Sequence, residues 1–214
     1  MKNNLYTLAL CLLLMACGHT KEKDPYPCDN VNTVDDARPD ILVIGDSISI
    51  GYTPFVQAAL PGYDVSHNYC NAMDSKNGVN KIDLWLSQRP SWGAITFNHG
   101  LWDVASWIRT SDSNYRANLT SLARKIKAST TKPLFILTTE IPINTPYRSN
   151  ARALELNAIA LDVMNTEGVP VLDLYTPSTI AEHVGLGDVH YTSQGSSDLA
   201  NAVLNKLSTE YGIQ

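Results

Sequence analysis

Short, uniformly apolar runs alternate along the chain with longer stretches in which apolar residues recur every three or four positions. Residues 41–44 are wholly hydrophobic, as expected for a strand buried on both faces of a parallel sheet. Residues 52–60 read as a helix stopped by Pro61-Gly62, and 63–69 as a second strand. In 78–88, Val79, Ile82, Trp85 and Leu86 share one helical face. Residues 94–97 form a third strand. Residues 114–129 form a helix with Leu119, Leu122, Ala123 and Ile126 inward. A fourth strand spans 134–138. The helix at 151–166 is expected to turn Leu154, Leu156, Ile159 and Val163 inward. A fifth strand covers 169–174, and a last helix, capped by Thr192, covers 193–211.

Strands separated by helices imply right-handed βαβ units and a parallel sheet covered on both faces. The expected fold class is α/β, a three-layer α/β/α sandwich on a flavodoxin-like five-stranded parallel sheet, occupying residues 38–214. Its carboxyl edge, where such folds bind ligands, would collect Ser47, Asn71, Ala72, Asn98, Glu140 and His190.

The remaining composition narrows the partners. The 214 residues are 44% hydrophobic and carry a formal charge of -5. With no basic run or repeat, nucleic acid is not an expected partner. Lys2 precedes an apolar stretch over 5–16, too short for a bilayer-spanning helix, which needs about 20 residues. Residues 1–16 thus have the layout of a secretory signal, and the polar, proline-bearing segment 17–37 reads as a tether. With Cys11 in the signal and Cys17 at its end set aside, Cys28 and Cys70 remain as an even pair suited to a disulfide in an oxidising compartment. No Cys/His cluster has metal-ligand spacing, so no metal or other cofactor is expected.

The chemistry gathers at two short segments. Gly45-Asp46-Ser47-Ile48-Ser49 follows the first strand, and Gly187-Asp188-Val189-His190-Tyr191-Thr192 precedes the last helix. A serine hydroxyl needs a base, and the base needs an orienting partner. Ser47, His190 and Asp188 can fill those roles, with Asp103 as a second candidate for the acid. An ester carbonyl also needs donors for its oxyanion. The Ser47 amide at a helix start, the Ala72 amide and the Asn98 side chain are the candidates. The pattern differs from the Gly-x-Ser-x-Gly elbow of α/β-hydrolases. Asp46 is expected to hold the turn, and His67 to be structural. His99 is open between substrate contact and structure, and Trp102 and Trp107 between pocket and packing.

These two blocks resemble those of the GDSL, or SGNH, hydrolase superfamily, and the likeness covers about residues 38–214. The end of the apolar N-terminal run, Leu14-Met15-Ala16-Cys17, is similar to the lipobox of bacterial lipoproteins, which implies lipidation of Cys17 and anchoring of an exported protein in the cell envelope. The superfamily resemblance implies a flavodoxin-like fold, no cofactor, ester hydrolysis, Ser47 as nucleophile and His190 as base. Three departures stand out. The family's acid usually lies three residues before its histidine, where this chain has Gly187. The family's Gly-x-Asn-Asp block is here Phe97-Asn98-His99-Gly100-Leu101-Trp102-Asp103, so the oxyanion amide falls to Asn98. Ala72 replaces the usual glycine after the second strand. The expected substrate is a short-chain or acetyl ester, on a small molecule or a glycan. The alternatives are a catalytically weak glycan-binding protein or an acyltransferase on the same scaffold.

Overall fold

The computed structural model describes residues 38–68 and 70–214. The expected signal peptide 1–16, the tether 17–37, Cys17 and Cys28 lie outside the described residues. Cys70 is disulfide-bonded.

The chain alternates strand and helix. β1 (Asp40–Ile44) leads to α1 (Ser47–Ala59), β2 (Asp64–His67) to α2 (Ser75–Leu86), and β3 (Ala94–Phe97) to α3 (Asp112–Ser129). β4 (Pro133–Ile136) leads to α4 (Asn150–Glu167), and β5 (Val171–Leu172) to a one-turn α5 (Tyr175–Ser178) and then α6 (Ser193–Tyr211). The five strands are parallel in the order β2-β1-β3-β4-β5. This is the flavodoxin-like order, and the expected fold class is what the structure shows. α1 and α6 pack together, while α2, α3 and α4 form a second layer.

The sheet is covered on both faces because its central strands have no polar side to present. Every residue of β3 and β4 is buried, and β1 is buried from Ile41 to Ile44. Phe97 and Phe135 meet edge-to-face between β3 and β4, with ring centroids 5.1 Å apart.

Several element bounds differ from those read off the sequence. α1 starts at Ser47, five residues before the expected 52, because Asp46 caps it. The Asp46 carboxylate accepts from the Ile48 amide, and the Ser49 hydroxyl donates back to the Asp46 carbonyl. β5, at one edge of the sheet, is only two residues long. Asp173 then accepts from the Thr176 amide and starts α5, which the apolar pattern did not show. Leu154 is 47% exposed rather than inward, since the buried stripe of α4 runs through Ala153, Leu156, Ala160, Val163 and Met164. α6 matches its expected bounds, and the Thr192 hydroxyl caps it by accepting from the Gly195 amide.

Two glycines are demanded by close approach. A Cβ on Gly45 would stand 2.4 Å from Ser49 Oγ, and one on Gly195 would stand 2.3 Å from the Glu182 carbonyl oxygen. Gly45 therefore lets the nucleophile turn tighten onto α1. Gly195 lets the first turn of α6 press against the 182–184 backbone, which holds the histidine loop in place.

Candidate active site

In this strand order the chain leaves β1 towards β2 and returns to β3, so a crevice opens beyond the carboxyl ends of β1 and β3. Ser47 follows β1 and Asn98 follows β3, so both flank that crevice. His190 arrives from the loop before α6.

The structure brings three of the expected residues into one hydrogen-bonded chain. Ser47 Oγ lies 3.0 Å from His190 Nε2, and His190 Nδ1 lies 2.8 Å from Asp188 Oδ1. With the Nδ1 hydrogen donated to the carboxylate, Nε2 is left as the acceptor for the serine hydroxyl. The two-residue spacing between acid and base works because Asp188 folds as an Asx turn: its Oδ1 also accepts from the His190 amide at 2.9 Å. Those two contacts, the backbone one foremost, hold the Asp188 carboxyl below the usual carboxylate range. Gly187, at φ 79°, supplies the left-handed residue that lets the loop turn there.

Asp103 is placed elsewhere. Its two carboxylate oxygens accept from the Ser75 hydroxyl at 2.7 Å and the Ser75 amide at 2.9 Å, tying the loop after β3 to the start of α2. Burial pushes its carboxyl up to about 6 against those bonds. It makes no bond to His190.

The three oxyanion candidates separate. The Ser47 amide sits in the first turn of α1, where it has no intrahelical partner. Asn98 Nδ2 donates one hydrogen to the Ile136 carbonyl at 3.1 Å, which leaves its second hydrogen available. Ala72 corrects the expectation. Its amide donates to the Gly45 carbonyl at 2.8 Å, prolonging the β2–β1 ladder, and the residue is fully buried. That N–H is engaged and cannot also meet an oxyanion. Its neighbour Asn71 has a buried Nδ2 without a hydrogen-bond partner.

Asp46, beneath the serine, is 1% exposed. Burial raises its carboxyl to about 6, and the charges of His190 and Arg148 act in the opposite direction.

His183 also belongs to the site's surroundings. Its Nε2 lies 3.2 Å from Glu140 Oε1, and its ring packs on Tyr191 with centroids 4.3 Å apart. His183 and Tyr191 also form an antiparallel bridge, and the Val184 amide donates to the His190 carbonyl. Glu140 and His183 thus brace the loop that carries Asp188 and His190 from the far side. A histidine seven residues before His190 carries no periodic signal; its pairing with Glu140 needs the ends of β4 and the loop side by side.

Among the described residues the other two histidines, His67 and His99, are structural. His67 Nδ1 donates to the Asn68 carbonyl, and its Nε2 lies 2.7 Å from Ser49 Oγ. His99 is 1% exposed, donates to the Met73 carbonyl at 3.3 Å, and fills the space that a Cβ on Gly78 would need. Burial lowers the pKa of each to about 4. A histidine held neutral in the fold supports stability fully above its unfolded pKa, and loses that support as pH falls towards 4. Between pH 7 and pH 5, His99 should therefore cost the wild type about 2 kcal/mol. Urea unfolding of His99→Gln beside the wild type at both pH values should show the variant's deficit shrinking by that amount at pH 5. A deficit independent of pH would contradict it.

Among the described residues no group of three or more His, Cys, Asp or Glu side chains is placed to hold a metal ion.

No protein-family model and no curated protein matches the sequence. Solved structures do match the fold. A lipase/acylhydrolase from Enterococcus faecalis aligns with a TM-score of 0.69 at 19% identity, over 80% of this chain and 96% of that one. A carbohydrate acetylesterase from Sinorhizobium meliloti aligns at 0.68 and 14% identity, over 81% of this chain and all of that one (100%). A member of the lipolytic G-D-S-L family from Veillonella parvula aligns at 0.65 and 17% identity, over 78% and 96%. The chain therefore has the α/β fold of these ester-cleaving enzymes.

Proposed function

We propose that the chain is a serine esterase of the GDSL, or SGNH, type, acting on short-chain or acetyl esters through an acyl-enzyme on Ser47. The observation that carries this reading is the continuous chain Ser47–His190–Asp188 at the carboxyl edge, with contacts of 3.0 and 2.8 Å. Ser47 Oγ attacks the ester carbonyl while His190 Nε2 takes its proton. Asp188 keeps the imidazole in the required tautomer and balances its charge. The oxyanion is met by the Ser47 amide and Asn98 Nδ2, with Asn71 Nδ2 in place of the engaged Ala72 amide. His190 then protonates the leaving alcohol, and water repeats the sequence to release the acid.

The acetylesterase among the solved structures of this fold supports an acetylated carbohydrate as one substrate. Export and lipid anchoring at Cys17 rest on the sequence pattern, and the disulfide at Cys70 supports an oxidising compartment. A Cys28–Cys70 pairing belongs to the same proposal. The engaged Ala72 amide favours a second reading, a catalytically weak glycan-binding protein.

Labelling decides between the two. A fluorophosphonate should modify the wild type on the peptide that contains Ser47, and the protein should hydrolyse 4-nitrophenyl acetate. No label on that peptide and no turnover would leave the binding protein.

A further inference from the structure

The loops after β3 and β4 carry a feature that ester cleavage does not use. Trp107 and Tyr147 are 52% and 59% exposed, large aromatic side chains left open to solvent. They stand edge-to-face with centroids 5.7 Å apart, and the Ser106 amide ties the two loops by donating to the Tyr147 carbonyl at 2.9 Å. The Arg148 guanidinium lies over the Trp107 ring, 5.1 Å from its centroid.

Clefts of about 300 Å³ and 530 Å³ open on either side, and Arg109 lines both. Tyr147 and Arg148 line the first, and Trp107 and Lys76 the second. Arg109 is held at φ 57°, a backbone conformation that side-chain-bearing residues rarely adopt. Among the described residues Arg109, Arg148 and Lys76 have no carboxylate and no side-chain hydrogen-bond partner, and Arg148 Nε is buried without one.

The acids on the same walls are turned to other partners: Asp103 in the first cleft accepts from Ser75, Asp74 in the second caps α2, and Asp112 pairs with Arg152 at 2.7 Å. In a chain with a formal charge of -5, Arg109, Arg148 and Lys76 outnumber the Asp103 and Asp74 carboxylates on the cleft walls and make the site locally positive. The charge of Arg148 also acts to lower the Asp46 carboxyl.

We propose that this surface is a subsite for acidic saccharides, with a sugar ring packed against the exposed aromatic pair Trp107 and Tyr147 and its carboxylate held by Arg148 and Arg109. An exposed indole takes the apolar face of a pyranose, and a guanidinium takes a carboxylate with two parallel bonds. The cluster is too local to follow a long polyanion, which needs a continuous basic track. The proposal rests on the esterase reading only in that the saccharide would bring its ester to Ser47. Binding at the cleft requires no turnover.

Isothermal titration of the wild type with trigalacturonate and with galactotriose of the same linkage tests it. The two ligands differ in the carboxylates. The acid should bind at least about tenfold more tightly, with an advantage that shrinks as salt rises. Arg109→Gln and Arg148→Gln should each weaken binding of the acid about tenfold and leave the neutral sugar unchanged. Trp107→Ala should weaken both ligands, and Trp107→Phe should retain most of the affinity, with thermal melts confirming that each variant is folded. Equal affinities, no binding of either ligand, or arginine variants that bind the acid like the wild type would overturn the subsite. Tight binding of the acid with no Ser47-dependent ester turnover would overturn the esterase reading and keep the subsite. Turnover with equal affinities would do the reverse.

Discussion

Replacing Ser47 by Ala should lower kcat for 4-nitrophenyl acetate at least about ten-thousand-fold while leaving the fold intact. The first part follows from the arrangement of the site. Ser47 Oγ is the hydroxyl that meets His190 Nε2. The neighbouring Ser49 hydroxyl is buried and turned towards His67 and the Asp46 carbonyl. No second hydroxyl on this turn can take over. The second part follows from local structure. Ser47 is the first residue of α1, and the cap is supplied by Asp46. Alanine is a good helix former, and no capping bond is lost. His190→Ala should cost a similar factor, because an unassisted hydroxyl is nearly as inert as a missing one. The double variant should be scarcely slower than either single one, since two groups acting as a unit give non-additive losses. Steady-state kinetics beside thermal melts check all three variants. A Ser47→Ala protein with more than about one hundredth of wild-type kcat would mean that the chemistry lies elsewhere.

Asp188→Asn and Asp103→Asn should fail in opposite ways. The Asp188 side chain is 42% exposed, and its contacts run to His190. Asparagine there loses the charge that stabilises the imidazolium, and its NH2 group can force the wrong imidazole tautomer. kcat should fall by about 10²–10⁴-fold with little change in melting temperature. Asp103 is 2% exposed and accepts one bond on each oxygen from Ser75. Asparagine would turn an NH2 group towards one of those donors and strand it. The expected cost is about 2–4 kcal/mol of stability, with most of kcat per folded molecule retained. Urea unfolding and active-site-titrated kinetics on both variants separate the outcomes. Loss of kcat in Asp103→Asn, with Asp188→Asn unaffected, would transfer the orienting role to Asp103.

Much of this architecture can be read from single residues and their spacing. The runs at 41–44 and 94–97 are apolar without interruption because both faces of those strands are covered. Strand character therefore shows in one dimension. The helix over 193–211 announces itself by Thr192, whose hydroxyl needs only the amide three residues on. Ser47 and His190 were recognisable because each stands at a strand end or helix start, and alternation of strand and helix sends all such ends to one edge. Leu154 shows where periodicity fails. Several phases of the apolar pattern fit α4, and the one adopted turns Ala153, Leu156, Ala160, Val163 and Met164 inward and leaves Leu154 exposed.

What local pattern could not contain was the use made of each polar atom. Ala72 retains an N–H after the change from glycine, yet that hydrogen belongs to the Gly45 carbonyl, 27 residues away. Asp188 sits at an unusual distance from His190 in sequence, yet an Asx turn brings the carboxylate to the ring. Glu140 and His183 are 43 residues apart and meet only because β4 ends beside the histidine loop. Residue type and position suffice for strands, caps and the identity of nucleophile and base, because these depend on neighbours within about one helical turn. Which donors stay free, which acid meets the imidazole and where unpaired cations collect depend on partners brought together by chain crossovers, and these were decided only when the sheet closed.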